Sequence, residues 1–128
     1  MHFLNVWVLD DDDDFLPLIE KWLHKNFECQ VTCFDNVEEF DKELYVVDVA
    51  PDLILMDIRL KHANGLKLAN EVHSLFKDVP IIHLTALDGD PIIEDKYVIL
   101  GKPIDDHLLK RSIINIIKKS YQKAYSSK

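Results

Sequence analysis

Residues 6–23, VWVLDDDDDFLPLIEKWL, change periodicity in mid-course. Val6 to Leu9 are continuously apolar, five aspartates follow, and then Phe15, Leu18, Ile19, Trp22 and Leu23 recur at the spacing of one helical stripe. A strand covered on both faces followed by an amphipathic helix is the opening of a βαβ unit, the element of parallel α/β sheets. Pro17 fits the first turn of that helix, where its missing N–H costs nothing.

The same alternation runs through all 128 residues. Strands are predicted at Phe3–Leu9, Gln30–Phe34, Leu53–Met56, Ile81–Leu84 and Tyr97–Leu100, with four or five helices between and after them. Asn36 with Glu39 three residues on is an Asn form of the capping box, so the second helix starts there, with Val37, Phe40 and Leu44 inward. Leu66, Ala69, Val72 and Phe76 supply the stripe of a helix following Gly65. A last helix runs from about Asp105 to Gln122, and the final residues read as a frayed tail. The segment LDGDPIIEDK, residues 87–96, holds Gly89 and Pro91 and has room for a stunted helix or a loop.

Length and an apolar content of 48% suit one globular domain. A net charge of -8 argues against direct nucleic-acid binding, which needs clustered Lys and Arg. The chain shows no signal peptide and no apolar run near the ~20 residues that span a bilayer. Cys29 and Cys33, four apart on one strand, would lie ~13 Å from each other and do not bridge, which suits a reducing cytoplasm.

Ligands of open α/β sheets bind beyond the carboxyl ends of the strands. Here those ends carry Asp10 and Asp11, Asp57, Thr85, and Gly101-Lys102-Pro103. Asp12, Asp13 and Asp14 are explained as residues capping a helix start. Asp10, Asp11 and Asp57 are not, and two unit charges 4 Å apart repel by about 4 kcal/mol at an effective dielectric near 20. A hard cation offsets that repulsion, and three carboxylates with an open mouth suit Mg²⁺. Lys102 adds a positive charge and Thr85 a hydroxyl at the same rim, together a seat for a phosphoryl group.

With VWVLDDD, PDLILMDIRLKHANGLKL, VPIIHLTA and GKPI in this order and these strand contexts, nearly the whole chain resembles the receiver domains of two-component response regulators. The resemblance implies a single flavodoxin-like three-layer α/β domain over residues 1–128, its globular part about 2–122. Its five-stranded parallel sheet would follow the order 2-1-3-4-5. Asp57 would be the phosphoacceptor, Asp11 a direct Mg²⁺ ligand, Asp10 a positioning group and the Arg59 carbonyl a further ligand. Lys102, aimed by a cis peptide to Pro103, would pair with the phosphoryl oxygens and Thr85 would report their presence. Ala86 would leave the approach open, while Arg59 and Leu87 would tune hydrolysis. The donor would be a phosphohistidine on a sensor histidine kinase or a histidine phosphotransfer protein, and the domain a switch rather than a turnover enzyme.

Three departures accompany the resemblance. Lys61 stands where receivers usually carry Pro, and Thr85 and Lys102 are 17 residues apart, several fewer than usual, so the fourth helix is shortened or missing. That helix belongs to the usual readout face. The switch-aromatic position holds Ile99, with Tyr97 on the same side of the strand as a substitute. Ile113, Ile114, Ile116 and Ile117 exceed one stripe of the last helix, which leaves that side open to a homodimer or an output domain. The histidines lack ligand spacing: His24, His62, His73 and His107 read as solvated and His83 as a core residue. Two alternatives stand beside this reading. One is a receiver-like interaction module that no longer signals by phosphate. The other is a small phosphatase of the haloacid dehalogenase type using Asp10 and Asp12, although Asp14 stands where that family has Thr or Val.

Overall fold

Side-chain alternation along the central strands decides which helices cover which face. The computed structural model describes residues 3–86, 92–94 and 97–126. Strands β1 (Leu4–Leu9), β2 (Cys29–Phe34), β3 (Leu53–Met56), β6 (Ile81–Thr85) and β8 (Tyr97–Gly101) run parallel. Val6, Val8, Leu53 and Leu55 point to one face and meet Leu16, Ile19 and Leu23 of α1 (Phe15–Asn26) and Leu109 and Ile113 of α4 (Asp106–Ser126). Trp7, Leu9, Ile54 and Met56 point to the other, against Phe40 and Leu44 of α2 (Val37–Val46) and Leu68 and Val72 of α3 (Gly65–Leu75). Val6–Leu9 and Leu53–Met56, apolar at every position and alternating between faces, therefore make the middle of a three-layer sandwich.

The second of these cores is partly aromatic. Trp7, Phe34 and Phe40 form edge-to-face pairs with centroids 5.4 to 5.8 Å apart, a geometry that sets the positive ring edge on a negative face. It fixes β1 and β2 against α2.

Sheet order is β2-β1-β3-β6-β8 with one further strand beyond β8, so the expected 2-1-3-4-5 arrangement holds for the five parallel strands. The sixth strand, β7 (Ile92–Glu94), is a correction. Where a stunted helix or loop was expected, the chain pairs antiparallel with β8, Ile92 opposite Ile99 and Ile93 opposite Val98. Two adjacent β-branched residues favour the pleated edge, and the connection is too short to close a helix onto the sheet. Pro91 lies outside the described residues.

Three smaller corrections concern helices. Leu18 is 67% exposed, and Leu16 takes its place in the α1 stripe. Leu68 joins Ala69 and Val72 as the buried face of α3, leaving Leu66 half-buried. Helix α4 continues to Ser126, because Gln122, Lys123 and Ala124 are good helix formers and nothing before the Ser pair breaks the turn. Of its isoleucines, Ile113 is buried and Ile116 and Ile117 pack against the same core, so core packing uses more of them than their spacing suggested.

Helix starts follow their caps. Asn36 accepts from the Glu39 N–H at 2.8 Å and Asn64 from the Leu66 N–H at 2.8 Å. Asp52 does comparable work at the opposite end of the sheet, its carboxylate accepting from the Asn5 N–H at 2.8 Å.

Candidate functional site

Strand register builds the site. Leu9 lies opposite Met56, so the next residues, Asp10 and Asp57, leave the sheet side by side on neighbouring strands. The Asp57 N–H donates to the Leu9 carbonyl at 3.0 Å and the Asp10 N–H to the Phe34 carbonyl at 3.1 Å. Both backbones are therefore fixed by the last rungs of the ladder. Asp10 and Asp57 are buried and Asp11 half-buried.

Carboxylate oxygens of Asp10, Asp11 and Asp57 lie within 4.8 Å of one another. On the other side of the cluster, Thr85 pairs with Gly101 at the end of β6 and β8, and the Lys102 N–H donates to the Thr85 carbonyl at 2.9 Å. That bond directs Lys102 inward: its Nζ donates to Asp10 Oδ2 at 2.5 Å and to Asp57 Oδ2 at 3.4 Å. The Lys102–Pro103 peptide is cis. One ammonium thus faces three carboxylates, an excess of negative charge that hard divalent cations with oxygen ligands offset. The donor set fits Mg²⁺.

Burial raises the Asp10 carboxyl above its ordinary value, against the lowering effects of Lys102 and of the Asp12 N–H, which donates to Asp10 Oδ1 at 2.9 Å. Burial out of water disfavours the charged form unless a cation compensates.

The remaining aspartates divide their work unequally. Asp12 caps α1, its Oδ1 accepting from the N–H groups of Asp14 at 3.0 Å and Phe15 at 3.2 Å. Asp14 makes no such bond with its side chain. Capping by all three is corrected to capping by Asp12, whose carboxylate is turned to the helix rather than into the cluster with Asp10.

Past Asp57 the chain makes a two-stranded ribbon, β4 (Arg59–Leu60) with β5 (Ala63–Asn64), turning at Lys61 and His62. The Arg59 N–H donates to Asp57 Oδ1 at 3.1 Å, and the Lys61 N–H to Asp11 Oδ2 at 2.7 Å. The second bond went unforeseen. Its signal was in the sequence: replacing the usual proline with Lys61 restores a backbone donor. The Gly65 N–H closes the ribbon on the Ile58 carbonyl at 2.7 Å.

Another contact was also missed. Lys102 Nζ stands 4.2 Å from the centroid of the Phe15 ring. Nothing in the spacing of residues 15 and 102 announces it.

His83 is buried, and its Nδ1 lies 3.2 Å from the Met56 carbonyl. A carbonyl only accepts, so Nδ1 carries the proton; burial lowers the pKa and keeps the ring neutral. His73 is exposed yet bonds the Val79 carbonyl at 2.8 Å. Both cysteines are free, and burial, helped by Glu20, pushes the Cys33 thiol up to about 11, which removes it as a nucleophile. Leu87 and the Tyr97 side chain lie outside the described residues. Among the described residues no helix is long and apolar enough to cross a membrane.

Residues 6–122 match the family model of the response regulator receiver domain. The fold is similar to that of a receiver domain protein from Clostridium thermocellum (17% identity, TM-score 0.77, 93% of this chain and 98% of that one). A receiver protein from Sinorhizobium medicae gives 19% identity and a TM-score of 0.76 over 91% and 96% of the two chains. NtrX from Brucella abortus matches over 97% of this chain but only 29% of its own, with 19% identity and a TM-score of 0.79. With the family model matching nearly the whole chain, and with the sheet and its acidic rim as described, this chain belongs to the response regulator receiver domain family.

Proposed function

We propose that the chain is a phosphorylation switch in which Asp57 accepts a phosphoryl group from a phosphohistidine. The observation that carries this reading is the convergence of Asp10, Asp11 and Asp57 within 4.8 Å beside the Lys102 ammonium. A carboxylate oxygen of Asp57 attacks phosphorus, the P–N bond to the donor imidazole breaks with the electron pair going to nitrogen, and an acyl phosphate remains. Lys102 would neutralise charge on the equatorial oxygens. Asp10, Asp11, Asp57 and the Arg59 carbonyl would hold Mg²⁺, which supplies charge neutralisation for the incoming phosphoryl group. Thr85, joined through its carbonyl to the Lys102 backbone, would turn its hydroxyl to the new phosphoryl oxygens.

The partners on this reading are a sensor histidine kinase or a histidine phosphotransfer protein, with an output domain or a second copy through the α4 side, and no direct contact with nucleic acid or membrane. A cytoplasmic setting keeps Cys29 and Cys33 reduced. The chain is a switch that returns to its starting state by hydrolysis, not a turnover enzyme.

Acetyl phosphate with Mg²⁺, followed by intact mass, tests the proposal. The wild-type chain gains one phosphoryl group and Asp57→Asn gains none. A gain retained by Asp57→Asn but lost in Asp10→Asn would favour a phosphatase-type nucleophile, and no gain at all a domain that signals without phosphate.

A further inference from the structure

Lys102 is the one cation bonded into the acidic cluster among the described residues, and its long stem leaves the ammonium several places to go. Two carboxylates attract it from one side. On another, the Phe15 ring is 4.2 Å away. Phe15 is the first residue of α1, half-buried, and packed against the core shared by α1, α4 and the sheet. Its place is therefore set by packing, whereas that of the Lys102 ammonium is set by its polar partners. The Lys102 side chain is only 17% exposed, and a cation that has lost much of its water gains most from an aromatic face.

We infer that Phe15 is a positioning residue for phosphoryl transfer: its ring holds the Lys102 ammonium at the rim between Asp10 and Asp57. The inference rests on Asp57 being the acceptor. Phe15 offers no group that would ligate a metal or bond a phosphoryl oxygen, so it acts through Lys102. Without the ring, the ammonium has water in place of one wall and spends less time where the equatorial oxygens arrive. A second link ties the two residues together, since Asp12 caps the helix turn that carries Phe15 and donates its own N–H to Asp10. Helix start, acidic pair and lysine are set by one short run of backbone.

The test compares rates of phosphorylation by acetyl phosphate with saturating Mg²⁺, read by intact mass, in the full chain. Phe15→Leu, which keeps apolar volume and loses the π-face, is expected to slow phosphorylation about fivefold, the equivalent of about 1 kcal/mol. Phe15→Met should behave like it, and Phe15→Tyr should stay within about twofold of wild type. In a Lys102→Ala background, Phe15→Leu should then change nothing, because the residue acts through the ammonium. Side-chain NMR gives a readout separate from activity: the Lys102 Cε protons carry an upfield ring-current shift that Phe15→Leu abolishes and Phe15→Tyr keeps.

Equal slowing by Phe15→Leu with and without Lys102, equal slowing by Tyr and Leu, or an unshifted Lys102 in the wild-type chain each overturns the inference. So does a phosphorylated Phe15→Leu chain that keeps pace with wild type, which leaves the acceptor reading intact. A wild-type chain that gains no phosphoryl group overturns both.

Discussion

A β-carbon placed on Gly65 would stand 2.1 Å from the carbonyl oxygen of Asp57. The first residue of α3 is thus pressed against the backbone of Asp57, the acceptor on the reading proposed above, a separation that no side chain tolerates. Gly65→Ala must push β4 and β5 or Asp57 itself aside. The expected result is a loss of about 2 kcal/mol of stability in urea unfolding, with phosphorylation by acetyl phosphate slowed about tenfold or more, on the proposed reading, through misplacement of Asp57. A variant with wild-type stability and rate would contradict the tight approach.

Lys102 compensates the buried Asp10 carboxylate, whose side chain is 2% exposed. Removing one member of a buried pair leaves the other charged and unpaired, which is costly. Lys102→Ala should lower stability by about 3 kcal/mol in EDTA. Millimolar Mg²⁺ should recover part of that loss, because a cation among Asp10, Asp11 and Asp57 takes over the compensation. Parallel urea curves with EDTA and with Mg²⁺ measure both effects.

Asp41 has a buried Oδ1 with no hydrogen-bond partner among the described residues. Burial, with Glu71 nearby, raises its carboxyl above the usual 3.8. A raised acid binds its proton more tightly in the native state than in the unfolded chain. The stability gained from protonation is therefore complete below pH 3.8 and lost as pH rises through the folded value. Asp41→Asn removes the charge and offers an amide donor to Glu71. It should stabilise the chain by about 1 kcal/mol at neutral pH, and the gain should vanish at low pH. Thermal unfolding of both chains from below pH 3.8, the ordinary value, up to neutral pH checks the sign.

His62 sits at φ 64° in the turn between β4 and β5. A residue with a β-carbon pays in this left-handed region what glycine does not. His62→Gly should gain up to about 1 kcal/mol in denaturant unfolding, less whatever the freer unfolded chain gives back. A loss of stability would point to a contact of the imidazole that compensates the backbone.

Strand positions and the acidic rim were legible because each rests on a local signal: apolar runs such as Leu53–Met56, and charges such as Asp10 and Asp57 where those runs stop. The Asn36 cap was readable for the same reason, needing only residues three apart. What stayed hidden depends on pairings that periodicity does not carry. Ile92 and Ile93 were too short a run to be distinguished from loop until β8 offered an edge. The Lys102–Phe15 contact joins residues on opposite ends of the chain. Leu18 was misplaced because Leu18, four before Trp22, and Leu16, three before Ile19, both satisfy helical spacing, and only packing on the sheet chooses Leu16.

Strand β7 alters how the margin of this domain can respond to its own chemistry. A helix lying on a sheet can slide or tilt while every one of its internal bonds survives. A segment laced into β8 cannot, for each step sideways severs rungs shared with the strand that delivers Lys102. On the switch reading proposed above, a change at the rim that leaves by this border would have to move β8 and β7 together, as one woven edge.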